Sequence, residues 1–305
     1  MGNRNLLQYF IITLKGMAMG AADVVPGVSG GTIAFISGIY EELITSINNI
    51  HPSLLRIWKK EGFNAFWKKL NGNFLLALFL GIFISLFSLA TLVSWLLENE
   101  PVLLWSFFFG LVAASIYFVG KEITRWNLGT IIILISGAAI AFFITTLPAS
   151  ENATGLPYLF MSGALAVCAM ILPGISGAFI LVLLGSYKTI LDAVHERNVQ
   201  VVITVAIGAI FGLLSFAKIL KWMFSHYKNL TLALLTGFIL GSLNKIWPWK
   251  LVLESKIIGD KVIHLKEQNV SPFGFEGEPQ LMFAIIAALI GFSLIFILEK
   301  VASKK

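Results

Sequence analysis

The sequence predicts an all-α polytopic membrane protein of two inverted repeats, each a broken or re-entrant helical hairpin followed by three transmembrane helices. Three observations predict it. Of the 305 residues, 57% are apolar and 12% are charged, with a mean hydropathy of +0.87; a soluble domain carries roughly 25% charged residues. Apolar segments of membrane-crossing length recur along the whole chain. A Pro-Gly-x-Ser-Gly motif also occurs twice, at matching places in the two halves. This composition excludes a cytosolic globular protein and a disordered chain. Because Cys168 is the single cysteine, it also excludes a disulfide scaffold within one chain.

The first repeat is expected over residues 1–148. Leu6–Ala22 runs straight into Asp23-Val-Val-Pro-Gly-Val-Ser-Gly-Gly, not into a small-residue cleavage site, so no cleavable signal peptide is expected. It reads instead as the first arm of a hairpin over 6–47, with 30–47 returning. The pair is too long for one crossing at ~1.5 Å per residue, and Pro and Gly break the helix between the arms. Such a hairpin either re-enters or crosses twice, and both give an even count. Residues 51–70 follow, with Leu54, Leu55, Trp58, Phe66, Trp67 and Leu70 at helical spacing. Arg56, Lys59, Lys60, Lys68 and Lys69 lie mostly elsewhere, which suits an interfacial helix on an anionic leaflet. Segments 74–97, 102–119 and 128–148 then supply three crossings.

The second repeat is expected over 157–300: a hairpin at 157–191, then crossings at 199–224, 229–247 and 281–299. The connection over 250–280 mixes charges with Pro and Gly and receives no role. Val25-Pro-Gly-Val-Ser-Gly matches Leu172-Pro-Gly-Ile-Ser-Gly at an offset of 147, as do Gly38 with Gly185 and Tyr40 with Tyr187. Past the interfacial segment the offset becomes 127, pairing Gly81 with Gly208, Trp95 with Trp222, Gly110 with Gly237 and Ser115 with Ser242. Three crossings per half is an odd number, so the second half lies upside down relative to the first. Inverted repeats with broken helices are a recurring design of secondary transporters.

Charge sets the orientation. The net charge of +6 divides into 15 of 22 Lys and Arg on the side of both termini and 7 on the other. Ten of the 16 acidic residues lie on that other side. By the positive-inside rule both termini are cytoplasmic, and the basic balance signals topology rather than a nucleic-acid partner.

The tips carry the chemistry. A helix starting near Ser29 directs N–H groups and a positive dipole end at the break. Gly30 and Gly31 admit a ligand close to the backbone, and Ser29 and Thr32 add hydroxyls. That combination suits a phosphate. The candidate substrate site is therefore Pro26, Gly27, Ser29, Gly30, Gly31 and Thr32 from the first tip, with Pro173, Gly174, Ser176 and Gly177 from the second. The competing reading of each serine is a plain backbone cap. Asp23, an acid inside an apolar arm, is the candidate for proton or sodium coupling, against a helix cap or a partner for Lys15. Tyr40 and Tyr187 read as interfacial anchors.

An intramembrane serine hydrolase is the third reading, since Gly27-Val-Ser-Gly-Gly31 fits G-x-S-x-G. However, His51, His195, His226 and His264 all fall in expected loops, and a second serine has no place in one dyad. No metal constellation, nucleotide fingerprint or other cofactor motif is present in the sequence. The chain therefore reads as a transporter and not an enzyme, with a channel or transporter for a small anion as the second reading.

Gly20-Ala-Ala-Asp-Val-Val-Pro-Gly-Val-Ser-Gly-Gly-Thr-Ile-Ala with Ser37-Gly-Ile-Tyr, and Leu172-Pro-Gly-Ile-Ser-Gly with Leu184-Gly-Ser-Tyr, resemble the bacterial polyprenyl-phosphate transporter family. The resemblance covers essentially the whole chain. It implies a multi-pass protein of the bacterial cytoplasmic membrane whose partners are a lipid-linked phosphate and membrane lipids. It further implies recycling of undecaprenyl phosphate, the carrier for peptidoglycan and other envelope polymers, from the outer to the inner leaflet.

Overall fold

The structure, a computed structural model, describes residues 4–25, 28–148, 150, 155–258 and 261–303. The first arm is α1 (Leu6–Val24), opened by a reciprocal Asn5–Gln8 capping box. It stops where Val25 turns extended ahead of Pro26, as a residue preceding proline prefers. The returning arm is two short helices and not one, α2 (Gly30–Ile36) and α3 (Tyr40–Asn48). They part at Gly38, whose φ of +72° suits glycine alone. The segment read as interfacial forms α4 (Pro52–Leu70), kinked at Gly62. Three crossings follow as α5 (Gly72–Asn99), α6 (Pro101–Lys121) and α7 (Leu128–Thr146).

The second half repeats this order. Its hairpin is α8 (Leu156–Ile171), α9 (Gly177–Leu183) and α10 (Tyr187–His195), with a bend of 105° at the positive-φ Gly185. Helices α11 (Val199–His226), α12 (Lys228–Ser242) and α13 (Leu281–Ser303) follow. Helices α2 and α9 have 7 residues each, α3 and α10 have 9, and α5 and α11 have 28. These three pairs therefore match in length across the two halves.

One expectation needs correction. Segment 229–247 does not form a helix of full crossing length: α12 ends at Ser242 after 15 residues. The chain there turns through Asn244 toward Pro248, and the carbonyls it frees are met by polar partners such as Asn269. By length and apolarity α5, α6, α7 and α11 qualify as spans among the described residues, with the bent α9–α10 pair as a fifth. The 250–280 connection, which received no role from the sequence, contains a β-hairpin. It holds the only strands described, β1 (Lys250–Ile258) and β2 (Lys261–Asn269), an antiparallel pair running from Lys250↔Asn269 to Ile258↔Lys261.

Packing exchanges the third helix of each half. Helix α1 lies on α5 and α8 on α11, but α7 packs against α12 and α13 against α6. Each contact is a pair of glycines that bring backbones together. A Cβ on Gly16 would fall 2.2 Å from the Leu78 carbonyl oxygen, and one on Gly81 would fall 2.0 Å from that of Thr13. Gly163 on Val205 and Gly208 on Phe160 repeat this between α8 and α11. Gly110 meets Ala288 and Gly291 meets Phe107 between α6 and α13, while Gly237 on Leu134 and Gly137 on Leu234 join α12 to α7. The outer helices expose large apolar side chains such as Phe83, Phe87, Ile135, Phe143, Ile207, Phe211 and Leu289, the surface a lipid solvent needs. Helix α6 is the buried centre, with 67% of its span enclosed.

Polar contacts gather at two opposite ends. One end joins Arg4 to Glu42, Asn71 to Glu42, Glu41 to Lys228 and Thr124 to Asn229. The other joins Gln280 to Glu100, Asn244 to Thr145 and Lys245 to Glu267. The first hairpin starts from the former end and the second from the latter.

Candidate substrate site at the hairpin tips

Each tip is a helix stop, an extended turn and a helix start. In the first, Ser29 is the N-cap of α2, and its Oγ accepts from the Gly31 N–H at 3.1 Å. The Thr32 N–H reaches the Ser29 carbonyl at 2.9 Å. Asp23, the penultimate residue of α1, accepts the Gly30 N–H on Oδ1 at 2.7 Å. A carboxylate therefore already sits on the positive end of α2, where the dipole favours an anion. In the second tip, Ser176 caps α9 more loosely, accepting from the Phe179 N–H at 3.4 Å. At the offset of 147 Asp23 corresponds to Met170, so no acid stands at this start. Among the described residues no acceptor meets the N–H of Gly177 or Ala178, and Ala178 is exposed.

The two tips touch. The Ser29 hydroxyl points at the carbonyls of Met170 and Leu172, at 3.1 and 3.3 Å, which α8 leaves free as it ends. Thr32 Oγ1 accepts from the Gly174 N–H at 2.9 Å. A Cβ on Gly31 would sit 2.6 Å from the Ile171 carbonyl oxygen, so only glycine permits this approach. Gly174, at φ +93°, turns the second tip against Phe238 and Ser242 of α12. Of the ten candidate residues, Ser29, Gly31, Thr32 and Gly174 make the contacts between the tips, Gly30 lies against Asp23, Pro173 is buried in the turn, and Ser176 and Gly177 open α9 beside α8. Pro26 and Gly27 lie outside the described residues.

Sequence reasoning missed other parts of the junction. Tyr40 is not an interfacial anchor: it is 2% exposed, and its hydroxyl donates to the Ile171 carbonyl at 3.2 Å. Its ring meets Phe35 and Phe224, which seats α3 against α11. The sequence signal was the break at Gly38, which turns Tyr40 inward instead of continuing a straight arm to the interface. Lys15 does not pair with Asp23 in the contacts described; it donates to the Ser37 carbonyl at 2.5 Å, at the end of α2. Among the described residues no group of His, Cys, Asp and Glu is arranged to hold a metal.

Such a junction of two broken hairpins needs a family context. A family model described as VCA0040-like, undecaprenyl phosphate translocase-like, matches residues 19–261, which include both tips. The chain belongs to this family. A polyprenyl-phosphate transporter of Vibrio cholerae is 46% identical over 303 residues, covering 98% of both chains. One of Staphylococcus aureus is 32% identical over 257 residues, covering 78% of this chain and 86% of its own. No solved structure matches this chain. Family membership agrees with the resemblance carried by the tip motifs, and it supports a transport protein rather than a hydrolase.

Proposed function

We propose that this protein is a flippase that moves undecaprenyl phosphate from the outer to the inner leaflet, holding the phosphate at the junction of the two Pro-Gly-x-Ser-Gly tips. The observation that carries the reading is the contact between the start of α2 and the turn that ends α8, in hairpins that enter from opposite ends. A prenyl tail needs no polar path, because lipid already solvates it; only the phosphate must be carried. The relatives named as polyprenyl-phosphate transporters support this substrate class.

The two hairpins are not in equivalent positions, which supports alternating access. In the first, six of the seven residues of α2 are buried, and α3 packs on α11 with Asn48 donating to the Ala217 carbonyl at 2.6 Å. In the second, α9 has no buried residue, and among the described residues α10 makes no comparable contact with α5. The end that carries Arg4 and Lys228 is therefore shut and the end that carries Lys245 is open. With both termini cytoplasmic, this is the outward-facing state, and exchanging the two hairpin positions gives the inward-facing one.

Asp23 offers the coupling step. A phosphate bound to the Gly30 N–H and an ionised Asp23 on the same N–H repel each other, so the phosphate displaces the carboxylate or the carboxylate takes a proton. Either exchange ties phosphate occupancy to the charge on Asp23.

Replacing Ser29 or Ser176 by Phe tests the site in reconstituted vesicles. The expected result is loss of both undecaprenyl phosphate binding and translocation, with the fold retained by thermal unfolding. Unchanged transport in both variants removes the tips from the site. Anion flux without lipid movement in the parent protein returns the function to a small-anion channel.

A further inference from the structure

Away from the tips, the open end holds a second charged cluster, assembled from three separate parts of the chain. Lys245 follows α12, Lys250 opens β1 and Glu267 lies in β2. Glu267 Oε2 accepts from Lys245 at 2.9 Å and from Lys250 at 3.5 Å. These are not surface side chains: Lys250 is 7% exposed, Glu267 15% and Lys245 19%. The Lys250 ammonium lies 4.0 Å from the ring centre of Trp105 on α6, and the Lys245 ammonium 5.0 Å from that of Phe179. Phe179 is the third residue of α9, whose N–H is capped by Ser176, so the cluster adjoins the second tip.

The charge balance is unusual for such a place. Among the described residues, two ammonium groups buried against one carboxylate leave a net positive charge in a partly dehydrated pocket. Aromatic faces compensate only partly, at about 0.5–2 kcal/mol each. Burial, with Lys245 alongside, pushes the Lys250 ammonium down to about 8 despite Glu267. A doubly charged anion arriving between the two lysines balances both once Glu267 gives up its contacts. This face is assigned 7 of the 22 Lys and Arg, and the pair accounts for two of them.

We propose that Lys245 and Lys250, held by Glu267 and the rings of Trp105 and Phe179, form a receiving site for a phosphate monoester at the open end, from which the phosphate passes to the second tip. This rests on the proposed transport of a prenyl phosphate and adds to it the residues that first take the headgroup. It gives the β1–β2 hairpin a task, since that hairpin supplies two of the three charges. Glu267 occupies the site at rest and yields a lysine proton donor when phosphate arrives.

The test uses full-length protein in vesicles, with a prenyl phosphate added to the face that carries the β-hairpin. In the double variant K245Q/K250Q the half-saturating concentration is expected to rise on the order of tenfold or more, as when one member of a buried charge pair is removed. K245R/K250R is expected to recover most of that loss. E267Q is the arm that separates binding from architecture, because it removes the competing carboxylate and is expected to lower the half-saturating concentration. A cluster that only braces the fold predicts the reverse for E267Q, weaker transport with a lower unfolding midpoint, and that result overturns the proposal. An unchanged half-saturating concentration in K245Q/K250Q also overturns it, while the parent protein still transports. Failure of the parent protein to transport any prenyl phosphate refutes the function itself. Inorganic phosphate, added separately, is expected not to compete at equal concentration; equal potency assigns the site to free phosphate and overturns the lipid headgroup.

Discussion

At the residue scale, the junction is a contest for a few N–H groups. Asp23 holds the Gly30 N–H at 2.7 Å, and Ser29 holds the Gly31 N–H. Asparagine at position 23 keeps an acceptor oxygen for Gly30 but cannot take or release a proton. Asp23→Asn is therefore expected to retain the fold and to flatten the pH or sodium dependence of transport. A profile unchanged from the parent protein removes Asp23 from coupling. Lys250 makes a separate prediction. Its ammonium is faced by Glu267 and Lys245, with Trp105 beneath, and burial brings its proton off near pH 8 rather than 10.5. Because the folded protein loses this proton first, the charged lysine opposes folding fully below about 8, and that penalty fades as pH rises toward 10.5. Anion affinity follows the charge instead, so it is expected to fall as pH rises through about 8. In Lys250→Arg, whose guanidinium stays charged, the fall is expected to disappear; persistence of the fall assigns it to another group.

At the element scale, glycines set where helices cross. Lipid gives helices no hydrophobic reason to associate, so close backbone approach and dispersion have to hold them. The Gly110 position shows the constraint, because a Cβ there falls 1.9 Å from the Ala288 carbonyl oxygen. Gly110→Val is expected to separate α6 from α13 and to cost about 1–3 kcal/mol or more, read as a lower unfolding midpoint in detergent. An unshifted midpoint means that α13 can slide without loss. The same scale explains α4, which packs lightly on α5 and keeps Trp58 and Phe63 exposed among basic residues. Its Trp58, Phe63, Phe66 and Trp67 rings stack on one another along one face, which fits the amphipathic reading of 51–70.

At the scale of the whole molecule, the exchange of α7 and α13 binds the two halves into one unit. The repeats are therefore not separable domains that dock; each half completes its packing with a helix from the other. Motion between the two states must then lie mainly in the hairpins. The contact between Asn48 and Ala217 marks the closed end, and the repeat offsets match these positions to His195 and Ala90. In a Cys168→Ser background, Asn48→Cys with Ala217→Cys is expected to crosslink readily and to stop transport until reduced. His195→Cys with Ala90→Cys is expected to crosslink only when substrate drives the exchange. Full transport by the first crosslinked pair contradicts a moving α3.

Much of this was legible in the chain before any coordinates. The apolar segments, the two tip motifs and the Gly38–Gly185 match all reflect local physics: the length needed to cross lipid, and backbone angles that only Gly and Pro impose. Even the lengths of α2, α3 and α5 recur in α9, α10 and α11. The repeat faded in α7 and α13, because their correspondence rests on one glycine contact each, Gly137 and Gly291, too few to register in sequence.

What the sequence by itself determined was the class of solvent, the duplicated order of elements and the places where the helices break. Only the tertiary structure decided which groups meet: Asp23 on Gly30, Tyr40 on Ile171, Thr32 on Gly174, and Glu267 between two lysines. The physical reason is range. Segment length and backbone angle are properties of neighbours in the chain, whereas a hydrogen bond between residues 142 positions apart exists only once two hairpins have entered from opposite ends and met.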